Sequence, residues 1–349
     1  MKQRFKLLII TLLSTASLYA QGDLKLWYEQ PAHRWVEALP LGNGSMGAMV
    51  FGGVSSELIQ LNEATLWSGG PLPNNVNPEA YKYLQPIREA LANNNYGLAD
   101  ELCRKMQGNY TESYLPLGDL HINQRFKNNG REQNYYRDLN LNNATSTTRF
   151  EIDGVTYIRE IFVSAPDSIM VAKITADKPS MISLDLSLKS LLNNSVSVDA
   201  QNQIILTGKA PARVDPNYYN RKERVPIVQD DIQGCRGMRF QIVLKADPDG
   251  GTIHSTDQGL HIEEANSVVL YLSAATSFNG FDKCPDKEGK NENELSISRI
   301  KNVGNKTYDV LKSTHTADYK QFFDRVSLIL QGKEPSNELN RKLPSDLRL

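Results

Sequence analysis

The chain has 349 residues, of which 40% are hydrophobic and 23% are charged, as in an ordinary globular protein. This length fits two domains or one large β domain with an appendage, at about 150 residues to a domain. Its 39 lysines and arginines balance 40 aspartates and glutamates, so the net charge is −1. This balance excludes the basic footprint that binds nucleic acid or an anionic membrane surface. With five histidines and three cysteines, we expect neither a metal nor a cofactor.

The N-terminus predicts an export signal. Lys2, Arg4 and Lys6 precede a short apolar run at residues 7–13, and small residues follow up to Ala20. This order is typical of a secretory signal peptide at residues 1–20, cleaved after Ala20. The apolar run is far shorter than the roughly 20 residues of a spanning helix. We therefore expect a periplasmic or extracellular protein with no membrane contact after cleavage. The alternative is a buried helix.

The cysteines are three in number and far apart. Cys103, Cys235 and Cys284 allow at most one disulfide, and export makes one possible. The pairing stays open, and three buried reduced thiols are the simpler prediction. No C-x-x-C pattern is present, so a zinc site is not expected.

Most of the chain from residue 21 to 285 predicts β-strands. Asp153-Gly154 separates two apolar runs, and this dipeptide favours a type I′ hairpin turn. Residues 238–245 alternate between apolar and mostly polar side chains, as in a strand with one buried face. Further strands are predicted at 46–54, 168–175, 181–188, 203–207, 260–264 and 267–274. Many short strands indicate a mainly β fold, a large antiparallel β-sandwich or supersandwich.

Two segments have helical rather than strand periodicity. Residues 79–106 repeat apolar side chains every three or four positions, which predicts a helical insertion at about 78–107 with Pro78 near its start. Residues 286–293 are polar and predict a loop, and residues 295–323 again have a helical period, weakened at Gly304. We therefore divide the chain at residue 285 into a sandwich and a C-terminal helical linker.

Two short patterns have plainer explanations than catalysis or nucleotide binding. Residues 42–47 match G-x-G-x-x-G, but the following segment, 48–51, predicts a strand where a dinucleotide site needs a helix. A Gly-rich turn before a strand is favoured. Asp230-Asp231 is an acidic pair, and neighbours on a strand point to opposite faces, so solvated loop carboxylates are favoured over a catalytic dyad.

Several motifs occur in order along the chain. The longest are residues 31–52, which end in LGNGSMGAMVFG, and residues 61–71, LNEATLWSGGP. Shorter ones lie at 114–120, 136–141, 157–164, 237–240, 275–278, 315–326 and 343–346. Together they resemble the N-terminal region of glycoside hydrolase family 95, the α-L-fucosidases.

The resemblance implies an architecture and an activity. In this family the β-sandwich is joined by helices to an (α/α) six-hairpin barrel, which carries a Glu general acid and an Asp base. The reaction is inverting hydrolysis of α-L-fucosides in fucosylated oligosaccharides or glycans. Residues 286–349 would be the linker and the truncated start of the barrel. The expected partners are therefore the glycan and the chain's own missing catalytic barrel, and no residue of this chain is assigned as catalytic. The alternative function is a stand-alone carbohydrate-binding module.

Five polar or aromatic residues cluster around the Gly-rich turns of the longest motifs. Such loops often carry function, so these residues are candidates to approach a sugar across the domain interface. The alternative is structural: Trp in the core, with Asn and Glu binding local backbone groups. The candidate residues are Trp35, Glu37, Asn43, Glu63 and Trp67.

Overall fold

The computed structural model describes the chain from residue 24 onward, with short gaps. The predicted signal at residues 1–20 therefore lies outside the described residues. The described ranges are 24–72, 77–108, 111–128, 130–218, 225–257, 259–304, 306–328, 340 and 342–348.

Two large antiparallel sheets form most of the regular secondary structure of the described chain. The first strands are β1 (Lys25–Tyr28), β2 (Leu39–Gly42), β3 (Met46–Val50), β4 (Ser56–Glu63), β5 (Gly118–Arg125), β6 (Gln133–Asn140), β7 (Thr145–Ile152), β8 (Val155–Ser164) and β9 (Ile169–Ala176). They continue as β10 (Ile182–Lys189), β11 (Asn193–Val198), β12 (Gln203–Lys209), β13 (Arg213–Val214), β14 (Ile227–Val228), β15 (Arg239–Asp249), β16 (Thr252–Thr256), β17 (Gly259–Ala265) and β18 (Ser267–Thr276).

The sheets pack face to face, which confirms the predicted mainly β sandwich. One sheet has nine strands in the order β1-β6-β7-β8-β9-β18-β15-β12-β11. The other has seven, in the order β16-β17-β10-β5-β4-β3-β2, and β13 pairs separately with β14. One continuous apolar core joins residues of both sheets, such as Ile122, Leu184 and Ile262 from the smaller and Phe150 and Ile242 from the larger. Alternation along each strand places these side chains on the inner face.

Two predicted turns are confirmed by the backbone. Asp153 and Gly154 have φ of 52° and 70° and join β7 to β8, which is the double positive φ that a type I′ turn requires. The G-x-G-x-x-G segment is the turn between β2 and β3, where Gly44 has φ of 87°. No helix follows it, so the structural explanation of this motif is correct.

The predicted helical insertion at about 78–107 is a pair of helices. The helices α1 (Tyr81–Ala92) and α2 (Tyr96–Met106) are separated at residues 93–95, where Asn94 has φ of 58°. The Asn95 side chain accepts a hydrogen bond from the Leu98 N–H at 3.2 Å and so caps α2. Helix α1 begins three residues after Pro78, which lies in the preceding turn.

The C-terminal helices cover the outer face of the nine-stranded sheet. The helical period predicted at 295–323, with its weak point at Gly304, corresponds to two helices, α3 (Glu292–Val303) and α4 (Tyr308–Phe323), and Gly304 between them has φ of 46°. Asn291 and Thr307 cap the two N-termini through their side chains. A second apolar cluster forms between these helices and the sheet and contains Phe162, Val171, Val243, Tyr271, Ile300, Val303 and Leu311.

Helix α4 also contributes a buried histidine. The His315 ring stacks on Phe162, with the ring centroids 4.8 Å apart, and its Nε2 lies 3.0 Å from the Asn143 carbonyl oxygen. Burial lowers the pKa of His315 despite that carbonyl. The folded protein therefore holds the ring neutral where the unfolded chain takes up a proton.

We expect this histidine to make the fold sensitive to mild acid. Because the folded pKa is the lower one, the free energy of unfolding should fall as the pH drops below about 6.5, by up to about 1.4 kcal/mol per pH unit. Urea unfolding between pH 7.5 and 5.5 measures this slope. The variant His315→Gln keeps a donor for Asn143 and should flatten the slope. An identical slope in the variant would assign the acid sensitivity to other groups.

Candidate functional site

The five candidate residues form two groups, one near each end of strand β2. Trp35 and Glu37 are in a short 3₁₀ helix that precedes β2, whereas Asn43 follows the other end of β2. Glu63 ends β4 and is opposite Met46 in the β3–β4 register, so it lies on the Asn43 side. Trp67 follows β4. The structure therefore brings together Asn43 and Glu63, with Trp67 nearby, and separates them from Trp35 and Glu37.

Glu37 binds the backbone of its own turn. Its carboxylate accepts hydrogen bonds from the His33 N–H at 2.9 Å and the Arg34 N–H at 3.2 Å, and from the Arg34 guanidinium at 2.6 Å. These donors, led by the His33 N–H, lower the pKa of Glu37 to about 2. A carboxylate so fully engaged favours the structural role. The neighbouring Trp35 side chain is exposed.

Asn43 and Glu63 hold the Gly-rich turn in place. The Asn43 Oδ1 accepts from the Ser45 N–H at 3.0 Å and the Met46 N–H at 2.8 Å, and its Nδ2 donates to the Ser164 carbonyl oxygen at 2.9 Å. The buried Glu63 accepts from the Thr65 N–H at 2.7 Å and the Thr65 hydroxyl at 2.6 Å. These contacts also favour structural roles, because each polar atom satisfies a local backbone or hydroxyl group.

Trp67 is the candidate that reaches a cavity. Its Nε1–H donates to the Ala64 carbonyl oxygen at 3.2 Å, and its ring packs on Tyr114 with the centroids 5.3 Å apart. The side chain is nonetheless 42% exposed. The exposed part lines a cavity of about 270 Å³, which we call the Trp67 pocket, with walls formed by Trp67, Glu112, Met238, Phe278, Phe281 and Lys283.

Four segments form the Trp67 pocket, one of which is the segment before β15 that carries Met238. The segment after β4 carries Trp67, the segment that returns from α2 carries Glu112, and the loop after β18 carries Phe278 and Phe281. Gly69 allows the first two segments to meet: its φ is 78°, and a Cβ there would lie 2.1 Å from the Glu112 carboxyl carbon. Any other residue at position 69 would therefore displace Glu112.

The carboxylate in the pocket is tied to its surroundings. Glu112 accepts from the Ser68 hydroxyl at 2.9 Å and from the Arg236 guanidinium at 3.1 Å. The Arg236 backbone N–H in turn donates to Asp231 at 2.9 Å, and the loop N–H donors keep the pKa of Asp231 below its usual value. Asp231 is thus a loop carboxylate, as predicted for the 230–231 pair, but it binds the backbone of its loop rather than solvent alone.

A disulfide braces the wall of the pocket. The structure pairs Cys235 with Cys284, whereas Cys103 is an exposed free thiol. The prediction of three reduced thiols is therefore wrong. The reason is the sheet order: β15 pairs with β18, with Phe240 opposite Thr276, so the loop before β15 and the loop after β18 run side by side. Sequence spacing could not reveal that neighbourhood.

Most of the pocket could not be predicted from the sequence. Phe278 lies in the motif at 275–278, but its exposure could not be read from the sequence. Glu112, Phe281 and Lys283 have no distinguishing pattern around them.

Among the described residues, no group of three or more His, Cys, Asp or Glu side chains is placed to hold a metal ion. No helix in the described ranges is long and apolar enough to cross a membrane.

Comparison with known protein families assigns the β-sandwich to a family of domains. A family model described as the N-terminal domain of glycosyl hydrolase family 65 matches residues 26–280. This range holds both large sheets almost completely and is more than half of the chain. The chain belongs to this family. Helices α3 and α4 follow the part of the chain that matches the glycosyl hydrolase family 65 N-terminal domain.

Curated relatives of this family 65 N-terminal domain are named as fucosidases. The chain is 32% identical over 325 residues to alpha-L-fucosidase 2 of Arabidopsis thaliana, covering 91% of this chain and 38% of the relative. It is 28% identical over 333 residues to probable alpha-fucosidase A of Aspergillus niger, covering 90% of this chain and 39% of the relative. The chain thus spans about two fifths of the length of these relatives, and the resemblance to α-L-fucosidases in their N-terminal region is confirmed.

A solved structure shares the fold at low identity. A human-microbiome protein named for kojibiose phosphorylase superposes with a TM-score of 0.53 and 11% identity, covering 91% of this chain and 40% of that chain. At this identity the match supports the architecture alone.

Proposed function

We propose that this chain is the N-terminal β-sandwich of an exported α-L-fucosidase of family 95, which hydrolyses terminal α-L-fucosides of oligosaccharides with inversion. The observation that carries the proposal is the 32% identity to alpha-L-fucosidase 2 along 91% of the chain. Fucosylated glycans are then the substrate. The catalytic carboxylates lie in a barrel beyond residue 349.

The chemistry of inversion supports a catalytic site outside the sandwich. One carboxylic acid must protonate the leaving oxygen, and a separate carboxylate about 6.5–9.5 Å away must activate water. In the described part of the Gly-rich region, Glu37 and Glu63 are engaged by backbone and hydroxyl donors. Glu112, in the Trp67 pocket, is paired with Arg236. None of these three carboxylates is available as a free acid and base pair.

The proposal is tested on the native protein. An antibody raised against this chain would capture the protein from its source cells, and both its intact mass and its release of fucose from fucosyllactose would be measured. We expect a mass well above that of residues 21–349, together with fucose release and initial formation of the inverted anomer. A captured protein that has the larger mass but releases no fucose would contradict the proposal. So would fucose release by this chain alone.

Export is supported by the disulfide, because such bonds persist mainly in oxidising compartments. Cys235 and Cys284 are 49 residues apart, so their bond restricts a long loop of the unfolded chain. We expect the double variant Cys235→Ser/Cys284→Ser to lose about 2–4 kcal/mol of unfolding free energy. Guanidinium unfolding with and without a reducing agent measures the loss. Cys103→Ser is the matched control, and equal stability of both variants would mean that the bond is not formed.

A stand-alone carbohydrate-binding module is the second candidate function. The exposed aromatic side chains of the Trp67 pocket favour it, since Trp67 and Phe278 remain 42% and 38% exposed and Phe281 89% exposed. The intact mass separates the two candidates, because a stand-alone module would have the mass of residues 21–349 and release no fucose.

A further inference from the structure

We propose that the Trp67 pocket binds one pyranose residue of a glycan, and that a 6-deoxyhexose such as L-fucose is the unit it fits best. This inference rests on the proposed function for the choice of sugar. The only acid among its six defining residues, Glu112, is already paired with Arg236. Its role is to hold a sugar, not to cleave a bond.

The aromatic walls suit a sugar ring. Trp67, Phe278 and Phe281 come from two separate loops and present exposed aromatic surface around one cavity. An aromatic face carries partial negative charge, and the axial C–H bonds of a pyranose carry partial positive charge, so the two surfaces attract. Met238 and Pro285 extend the apolar lining. In a 6-deoxyhexose a methyl group replaces the hydroxymethyl group, and this methyl adds apolar area that suits the aromatic and apolar part of the lining.

The rim supplies hydrogen-bonding groups for the sugar hydroxyls. Lys283 lines the pocket, and its ammonium group forms no ion pair with any described residue. Glu112 has its carboxylate fixed by Ser68 and Arg236, which leaves further acceptor capacity on its oxygens. A pocket with apolar walls and a few fixed polar groups is the usual form of a small-molecule site. Its volume of about 270 Å³ suits one sugar unit.

The loop that carries Phe278 and Phe281 is held before any ligand arrives. Beyond the disulfide at Cys284, the Glu288 carboxylate accepts from the Cys284 N–H at 2.9 Å, and the Lys290 N–H donates to the Ser277 carbonyl oxygen at 3.0 Å. Less conformational entropy is lost on binding when a loop is already ordered.

Binding is tested on the purified chain with methyl α-L-fucoside as the probe. Saturation-transfer NMR and a titration should give a Kd on the order of 1 mM, since one sugar unit makes few contacts. Methyl α-L-galactoside differs by one hydroxyl on the methyl carbon and should bind several-fold more weakly. Saturation transfer should be strongest to the C–H face and the methyl group of the fucoside. Absence of any binding by the fucoside up to tens of millimolar would overturn the proposal.

Variants locate the site. Phe281→Ala removes a side chain that is 89% exposed, so the fold should be unaffected while binding weakens roughly three- to tenfold. Lys283→Gln should weaken it as well. Tyr81→Ala is the control, because Tyr81 is also an exposed aromatic residue but lies in α1 and does not line the pocket, so this variant should bind the fucoside as the unchanged chain does. Equal weakening by Tyr81→Ala and Phe281→Ala would overturn the assignment.

The outcomes separate this inference from the proposed function. If the native protein releases fucose but the chain binds no fucoside, the pocket proposal fails and the fucosidase proposal stands. If the chain binds the fucoside but the native protein has only the mass of residues 21–349 and releases no fucose, the pocket proposal stands and the fucosidase proposal fails. If Phe281→Ala leaves fucoside binding unchanged and lowers only the Tm of the longer native protein, the pocket is an interface with the rest of that protein, which also overturns the sugar assignment.

Discussion

Replacement of Arg159 by methionine is expected to lower the free energy of unfolding by about 3–5 kcal/mol. The Arg159 and Glu57 side chains are 1% and 0% exposed, and their charged groups lie 3.3 Å apart between the two sheets. Arg159 also donates to the Gln124 Oε1 at 2.7 Å and to the carbonyl oxygens of Gly53 and Val54. Its loss leaves a carboxylate and two carbonyl groups buried without their donor, which is the costly way to break a buried ion pair.

The partner variant tests the cause. In Arg159→Met/Glu57→Leu both charges are gone, and we expect much of the lost stability to return, because an apolar pair carries no unpaired charge. Arg149→Met on the neighbouring strand is the control: the Arg149–Glu151 pair is exposed, with 3.8 Å between its atoms, and should contribute less than about 1 kcal/mol. Urea unfolding measures all three variants. A loss below about 1 kcal/mol for Arg159→Met would contradict the role of the pair.

A second large effect is expected at Phe240, where a ring fills the space over a glycine. Phe240 is fully buried and lies opposite Gly208 in the β12–β15 register. A Cβ at Gly208 would lie 2.3 Å from the tip of the Phe240 ring. Phe240→Ala should therefore cost about 3–5 kcal/mol through lost burial and a cavity. Gly208→Ala should cost about 1–3 kcal/mol through overpacking.

The two substitutions should not be additive. In the double variant the added methyl group at position 208 enters the space that the ring has left, so the part of its cost that comes from the ring should disappear. The part that comes from its approach to the Asn193 carbonyl oxygen, at 2.8 Å, should remain. Thermal and urea unfolding of the two single variants and the double variant give the coupling energy. Additive losses would show that Gly208 is required for its backbone and not for the ring above it.

The strands and turns were predictable because they depend on local pattern. The alternation along β15 and the Asp153-Gly154 turn follow from the period of a strand and the positive φ of two residues. The breaks in the two helical regions were not found: Asn94 adopts a positive φ that few residues other than glycine reach. Gly304 was noted as a weak point, but a glycine within a helix can also be tolerated.

The buried charges and the pocket could not be found because they depend on contacts distant in the chain. The core-facing side of β4 contains Glu57 and Glu63 as well as Ile59 and Leu61. The sequence of β4 therefore does not alternate cleanly between apolar and polar residues and does not reveal which of its faces is buried. The partner of Glu57, Arg159, is 102 residues away. The Trp67 pocket likewise depends on the pairing of β15 with β18, which no residue near Trp67 indicates.

One hydrogen bond joins the first strand of the sandwich to the last described segment of the chain. The Trp27 N–H on β1 donates to the Ser345 hydroxyl at 2.9 Å, beside the short 3₁₀ helix Ser345–Leu347. The first strand and the last described segment are thus neighbours at one edge of the nine-stranded sheet. A circular permutant that joined these ends and opened the turn at residues 93–95 would preserve every pairing within both sheets. We therefore expect the architecture to depend on which strands are adjacent in space.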